Sequence, residues 1–304
     1  MILLGCQADP TVNKANSPQQ PYLVVLGTAQ DAGSPQLGCM KSCCKDLYGQ
    51  ANQDRKVVSL GLVDPAEHRK YFFDASPDFA SQWHQLAQLD TARKSMDGIF
   101  ITHAHIGHYL GLAQLGKEAM DARNIPVYAM PRLAHYLENN GPWSLLVERG
   151  NIQLRALENQ STVNLTNGLS VTPILVPHRD EFSETVGFRI KGPNKTALYI
   201  PDIDKWSKWD RDIVQELDSV DYAFLDATFF DAAEINHRDI RQIPHPFVIE
   251  SMTLFEKLTT AQKRKIVFIH FNHTNPLLRS DSPESQSVLN AGFRIARIGD
   301  TYLL

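Results

Sequence analysis

The chain has 304 residues, 43% hydrophobic and 21% charged, with a formal net charge of -4. That length admits one large α/β domain or two average ones, and no apolar run approaches the roughly 20 residues needed to span a bilayer. Acids and bases are scattered along the chain, so its charge gives no reason to expect nonspecific nucleic-acid binding.

The chain opens with MILLGC, followed by a polar stretch at residues 7–20. Leu-Leu-Gly-Cys is similar to the cleavage box of a bacterial lipoprotein signal, although the charged part and most of the apolar part of such a signal are absent. One reading is a membrane tether through Cys6, with the protein in the bacterial cell envelope or periplasm. The other is an ordinary polar terminus on a cytoplasmic protein. Both put residues 1–20 outside the fold and assign 21–304 to one domain.

Residues 21–27 (PYLVVLG) predict a strand, and 57–63 with 70–74 predict two more around a turn containing Pro65. Residues 79–93 carry apolar side chains at helical spacing, and 96–102 (MDGIFIT) form a compact strand. A helix is expected over 109–122, a strand over 127–129 and a helix over 131–139. Strands then follow at 152–156, 170–176, 185–191 and 197–200, separated by Asn, Gly and Pro, and these predict a second sheet. Residues 222–226, a helix over 246–258, a strand over 265–270 and a closing hairpin over 293–304 complete the chain. Two sheet-rich halves with helices outside predict an α/β fold, a four-layer αββα sandwich.

His103, His105 and His108 lie within six residues just after the 96–102 strand. The first two can point the same way, and the third can return past Gly107 toward the same centre. Three imidazoles meeting in one pocket suit zinc and also iron.

The segment Thr102-His103-Ala104-His105-Ile106-Gly107-His108-Tyr109-Leu110-Gly111-Leu112 resembles the T-H-x-H-x-D-H-x-x-G-L signature of metallo-β-lactamase-fold proteins. Further matches follow the family order: Tyr71 to Ala75, a strand ending in Asp74; Pro177-His178; Tyr199-Ile200-Pro201-Asp202; and Phe268-Ile269-His270-Phe271. The resemblance implies a first metal on His103, His105 and His178, a second on His108 and His270, and Asp202 bridging them. Gly107 stands where the family usually has an aspartate ligand, which leaves the second site doubtful and a single-metal enzyme an open alternative. Asp74 is implied to orient ligands, or else to cap its strand. His245 falls where some members place a proton donor, the alternative being a surface loop histidine.

The run from Gly27 to Cys44 resembles the N-terminal loop of pyrroloquinoline-quinone biosynthesis protein B and of the carbon–phosphorus lyase accessory phosphodiesterase. Their C-x-C-x-x-C run implies a structural zinc, here on Cys39, Cys43 and Cys44 with His273 as the fourth ligand. A disulfide or free thiols are the alternatives.

The leading expectation is a metal-dependent hydrolase that uses a metal-bound hydroxide on an ester-like small molecule, a phosphodiester or a lactone. It would carry one or two active-site zinc ions and one structural zinc. The alternatives are an iron-dependent oxidative enzyme and a non-catalytic binding protein on the same scaffold. Arg179, Lys205 and Trp206 are either substrate contacts or solvated loop residues. Oligomeric state is left open.

Overall fold

In β1 (Tyr22–Gly27), Tyr22, Val24 and Leu26 enter one core cluster while Leu23 and Val25 enter another, and all are buried. A strand that is apolar on both faces has to be covered twice. In this computed structural model, which describes residues 19–49, 55–93, 95–166, 168–235, 239, 241 and 243–304, one cover is a second sheet and the other a layer of helices. The tether proposed through Cys6 lies outside the described residues.

β1 pairs antiparallel with β2 (Ser59–Asp64), and β2 with β3 (Arg69–Phe73). β4 (Gly98–Phe100), β5 (Ile125–Ala129) and β6 (Ile152–Ala156) then extend the sheet parallel to β3. Parallel neighbours need long crossovers. These are α1 (Phe79–Leu89), α2 (Ile106–Tyr109) with a 3-10 turn at Leu110–Leu115, and α3 (Pro131–Asn139) with α4 (Trp143–Glu148).

The second sheet repeats the plan. β7 (Val163–Thr166), β8 (Leu169–Leu175), β9 (Val186–Lys191) and β10 (Thr196–Ile200) are antiparallel. Parallel strands β11 (Tyr222–Asp226), β12 (Ile266–Ile269) and β13 (Arg294–Ile295) continue it, connected through α5 (Ile213–Asp218), α6 (Val248–Leu254), α7 (Thr260–Lys263) and α8 (Pro283–Asn290).

Between the sheets, Phe73 packs on Phe100, Phe188 and Tyr199 with ring centroids 5.3, 5.6 and 6.2 Å away. Leu86, Leu133, Leu137 and Trp143 pack the helices onto the outside of the first sheet, and Ile213, Leu217, Val248 and Val288 do the same for the second. The expected four-layer αββα sandwich is the observed architecture.

Two local expectations are corrected. Residues 293–304 do not form a hairpin: β13 runs parallel to β12, whereas β14 (Thr301–Leu303) crosses to the first sheet and pairs antiparallel with β1. Each pairs with the end strand of a different sheet, β13 with β12 and β14 with β1, and so becomes that sheet's edge. The helix expected over 109–122 is instead α2 running into a 3-10 turn that ends at Leu115, where Gly116 is extended, and Gly111 within that turn lies against the Asp74 loop. Its amide donates to Ala75 O, and a Cβ there would sit 2.3 Å from Ser76 O and 2.6 Å from Phe79 Cβ. The short helices α4, α5 and α8 and the half-exposed strand β7 were not anticipated.

β3, β4, β10, β11 and β12 all deliver their C-terminal ends to one rim of the sandwich, where open α/β sheets place ligands. Gly111→Ala should lower stability by about 1–3 kcal/mol through overpacking beneath that rim. Urea denaturation measures this, and an unchanged midpoint would contradict the packing described.

Candidate metal centre

Each strand that reaches the rim ends in a polar side chain. Asp74 follows β3, the three histidines follow β4, His178 follows β8, Asp202 follows β10 and His270 follows β12. Asp74 and His270 take left-handed backbone angles, with φ of 68° and 69°, which turn the chain sharply at the strand end.

The structure brings the expected ligands together as two adjacent groups. In the first, His103 Nε2 is 2.9 Å from His105 Nδ1, and Asp202 Oδ2 is 3.4 Å from His103 Nε2 and 3.2 Å from His178 Nε2. In the second, Asp202 Oδ2 lies 4.0 Å from His108 Nε2, and Asp31 Oδ1 lies 3.0 Å from His108 Nε2 and 3.5 Å from His270 Nε2. Within each group the donor atoms all lie within 4.8 Å of one another, and Asp202 belongs to both. A metal held about 2.0–2.1 Å from each donor would put neighbouring donors roughly 3–3.5 Å apart, so these spacings fit a cation.

Several of these atoms are buried and make no hydrogen bond: Asp31 Oδ1, His108 Nε2, both ring nitrogens of His178, Asp202 Oδ1 and His270 Nε2. Buried polar atoms are rarely left so, and a cluster of them aimed at one region is the mark of a cation site.

The outward nitrogens of His103, His105, His108 and His270, by contrast, are held. Thr102 Oγ1 donates to Asp74 Oδ1 at 2.8 Å and faces His103 Nδ1 at 3.0 Å, while His108 Nδ1 meets Asp74 Oδ2 at 2.8 Å. The same device recurs on the second sheet, where Thr228 Oγ1 donates to Asp226 Oδ1 at 2.7 Å and faces His270 Nδ1 at 2.9 Å. Glu181 Oε2 lies 3.1 Å from His105 Nε2. Each of these partners calls for an N–H on its own side of the ring, so the inward nitrogen is the one free to bind an ion, His108 and His270 first releasing the proton that their acidic neighbours favour there.

The electrostatics divide the centre. Burial, reinforced by neighbouring His108, holds His103 well below the ordinary imidazole range. Burial also opposes charge on His108, but Asp74 and Asp31 outweigh it and raise that residue well above the range. Asp202 resists burial through His178, His245 and His270 and stays well below the usual carboxylate range. His270 is pushed up to about 9, because Asp202 and Asp226 overcome the cost of its burial.

His245 is buried, so it is not the surface loop histidine of the alternative reading. Its Nδ1 lies 2.9 Å from Asp226 Oδ2 and 3.2 Å from Asp202 Oδ1, and these carboxylates overcome burial to push it up to about 10. Asp74 does more than cap a strand, since Thr102 N and Tyr199 OH also donate to it. Beside Glu181 runs a groove of about 380 Å³ lined by Arg132, His135, Tyr136 and Phe182. Lys205 is engaged by Glu250 at 2.5 Å and Trp206 by Ser251 at 2.9 Å, whereas Arg179 is exposed beside Glu181.

Sequence reasoning missed Asp31, Asp226, Thr228 and Glu181 as site residues. Asp226 ends its strand as Asp74 does and carried a usable signal. Asp31 and Glu181 sit in loops that offered none.

The cysteine loop is equally organised. Cys39, Cys43 and Cys44 are free thiols rather than a disulfide, with Sγ atoms 3.9 Å apart from Cys39 to Cys43 and from Cys43 to Cys44. His273 completes the group. A tetrahedral zinc with Zn–S of about 2.3 Å would separate its sulfurs by roughly 3.8 Å, so this cluster fits that ion. Burial, with the neighbouring sulfurs, pushes the Cys43 thiol up to about 12.

Residues 69–271 match the family model described as the beta-lactamase superfamily domain. Among curated proteins, the chain is 24% identical over 303 residues to coenzyme PQQ synthesis protein B of Methylorubrum extorquens (strain PA1), covering 92% of this chain and 99% of that one. It is 26% identical over 312 residues to the Gluconobacter oxydans (strain 621H) protein of the same name, covering 93% and 98%. Among solved structures, Zn(2+)-bound PqqB from Methylobacterium extorquens superposes with a TM-score of 0.75 at 24% identity, covering 93% of this chain and all of that one. A diphosphatase from the PhnP family gives 0.66 at 22% identity, covering 94% and 97%. By sequence, by architecture and by the arrangement of its histidines, the chain belongs to the beta-lactamase superfamily domain family and is a metallo-β-lactamase-fold protein resembling PqqB and PhnP.

Proposed function

We propose that this protein is a metal-dependent hydrolase of an ester-like small molecule, with a phosphodiester the favoured substrate class. The observation that carries this reading is the pair of donor groups sharing Asp202, in which His108 Nε2, His178 Nε2, His270 Nε2 and Asp31 Oδ1 are left unpaired while the outer nitrogens of His103, His105, His108 and His270 are held. Zinc suits the imidazole and carboxylate set of the centre and the thiols of the cysteine cluster.

A divalent ion held there would supply an acidified water and a Lewis acid for the ester oxygen. The chain's own residues do the rest. His103, His105, His108, His178, Asp202 and His270 would hold the ion or ions, and Asp74, Thr102, Asp226, Thr228 and Glu181 orient the rings of His103, His105, His108 and His270 for it. His245, with Nδ1 held by Asp226, keeps Nε2 to pass a proton to the leaving oxygen. Arg132 and His135, lining the groove with Glu181, supply donors that suit an anionic ester better than a neutral lactone.

The likeness to PQQ synthesis protein B supports a second reading, iron-dependent oxidation, because imidazole and carboxylate also suit iron. Metal analysis after anaerobic purification, with an oxygen-consumption assay, separates the two.

Chelator treatment should abolish hydrolysis of bis(p-nitrophenyl) phosphate, and added Zn2+ should restore it. Turnover that survives complete metal removal would overturn the proposal. Asp74→Asn should weaken ion binding at the histidine centre by about 10–100-fold through loss of ring orientation, as a competing chelator reports; wild-type affinity would return Asp74 to a strand cap. His245→Gln should slow diesters with poor leaving groups by about 10²–10⁴-fold and p-nitrophenyl esters far less. Equal losses on both substrates would rule out proton donation.

A further inference from the structure

We propose that Asp31, in the loop after β1, is the carboxylate ligand of the second metal position, and that Gly107 is glycine because Asp31 occupies the space a side chain there would need. This rests on the hydrolase reading of the centre and extends it. On sequence spacing alone Gly107 reads as a lost ligand, yet in space a carboxylate stands at that point. A Cβ on Gly107 would lie 2.4 Å from Asp31 Oδ1, 2.7 Å from its Cγ and 2.5 Å from its Cα. A side chain at 107 and the present position of Asp31 therefore exclude each other.

Asp31 Oδ1 has the environment of a ligand. It is buried, makes no hydrogen bond, and lies 3.0 Å from His108 Nε2 and 3.5 Å from His270 Nε2, both also without hydrogen bonds. Proximity without hydrogen-bond geometry is what donors aimed at a common third point would show. With Asp202 the group offers two imidazoles and two carboxylates, a donor set that suits a divalent ion.

The loop is built to hold Asp31 there. Phe271 N donates to Thr28 O at 2.7 Å and Gln30 N to Phe271 O at 2.8 Å, so the backbone just before Asp31 is paired with the residue just after His270. Further along, the loop's three cysteines gather at His273, three residues beyond His270. Both tethers fix the distance between Asp31 and His270 and leave little freedom for the carboxylate to settle elsewhere.

The test measures metal content and affinity of the full-length protein with Zn2+ as the only added metal, comparing wild type with Asp31→Asn and Gly107→Ala. Asp31→Asn keeps size and shape, and Gly107→Ala displaces the Asp31 carboxylate without altering it. Wild type should bind two ions at the histidine centre besides the one at the cysteines. Each variant should keep the cysteine ion and the ion at His103, His105 and His178, and should bind the remaining ion at least tenfold more weakly.

Thermal unfolding supplies the control. In Asp31→Asn the rise in midpoint on adding Zn2+, taken from the variant's own metal-free midpoint, should shrink; an Asp31 that only pairs with His108 would lower the metal-free midpoint and leave that rise at its wild-type size. Two centre ions at wild-type affinity in Asp31→Asn would overturn the assignment and leave the hydrolase reading intact. So would a single centre ion in wild type and variant alike. No centre ion in wild type would overturn both.

Discussion

The structure turns on a single constraint: imidazole and carboxylate atoms from both sheets are buried at one rim without protein partners. A buried polar atom left unpaired costs about 1–3 kcal/mol, and a domain's whole stability is about 5–15 kcal/mol. Several such atoms in one place are tolerable only if something else satisfies them. One cation in each of two compact groups would satisfy those that face the centre, His178 Nε2 in one and His108 Nε2, His270 Nε2 and Asp31 Oδ1 in the other, with Asp202 shared between them.

The rest of the fold serves that rim. Strand polarity sends β3, β4, β10, β11 and β12 to the same end, and the aromatic core around Phe73 keeps the two sheets in register there. Each sheet contributes one aspartate and one threonine that hold histidines by their outer nitrogen: Asp74 with Thr102, and Asp226 with Thr228. The left-handed backbone at Asp74 and His270 carries a cost of order 1–3 kcal/mol each, offset by hydrogen bonds that fix both residues. The cysteine loop ties the N-terminal part of the chain to the segment after β12, so the separate cysteine cluster also stiffens the centre's edge.

Much of this was legible in the sequence for physical reasons. The short β-branched run of β1 and the compact apolar β4 announced buried strands, and His103, His105 and His108 advertised convergence through spacing alone. Asp202 and His178 were reachable only through resemblance, because a single aspartate or histidine at a strand end has no signature of its own. Asp31 was invisible, since it reaches the centre through a loop and fills a space that one-dimensional spacing at Gly107 presents as a deletion. Strand pairing in the last twelve residues was misread for a related reason. The partners of β13 and β14 are β12 and β1, and proximity in sequence suggested that they pair with each other.

The most direct test of a centre made from these donors is anomalous diffraction at the zinc edge from crystals of the zinc-loaded protein. The account predicts two peaks about 3.5–4 Å apart, flanking Asp202. One should lie among His103, His105 and His178, and the other among Asp31, His108 and His270. Anomalous density confined to the cysteine cluster, with none beside Asp202, would contradict it.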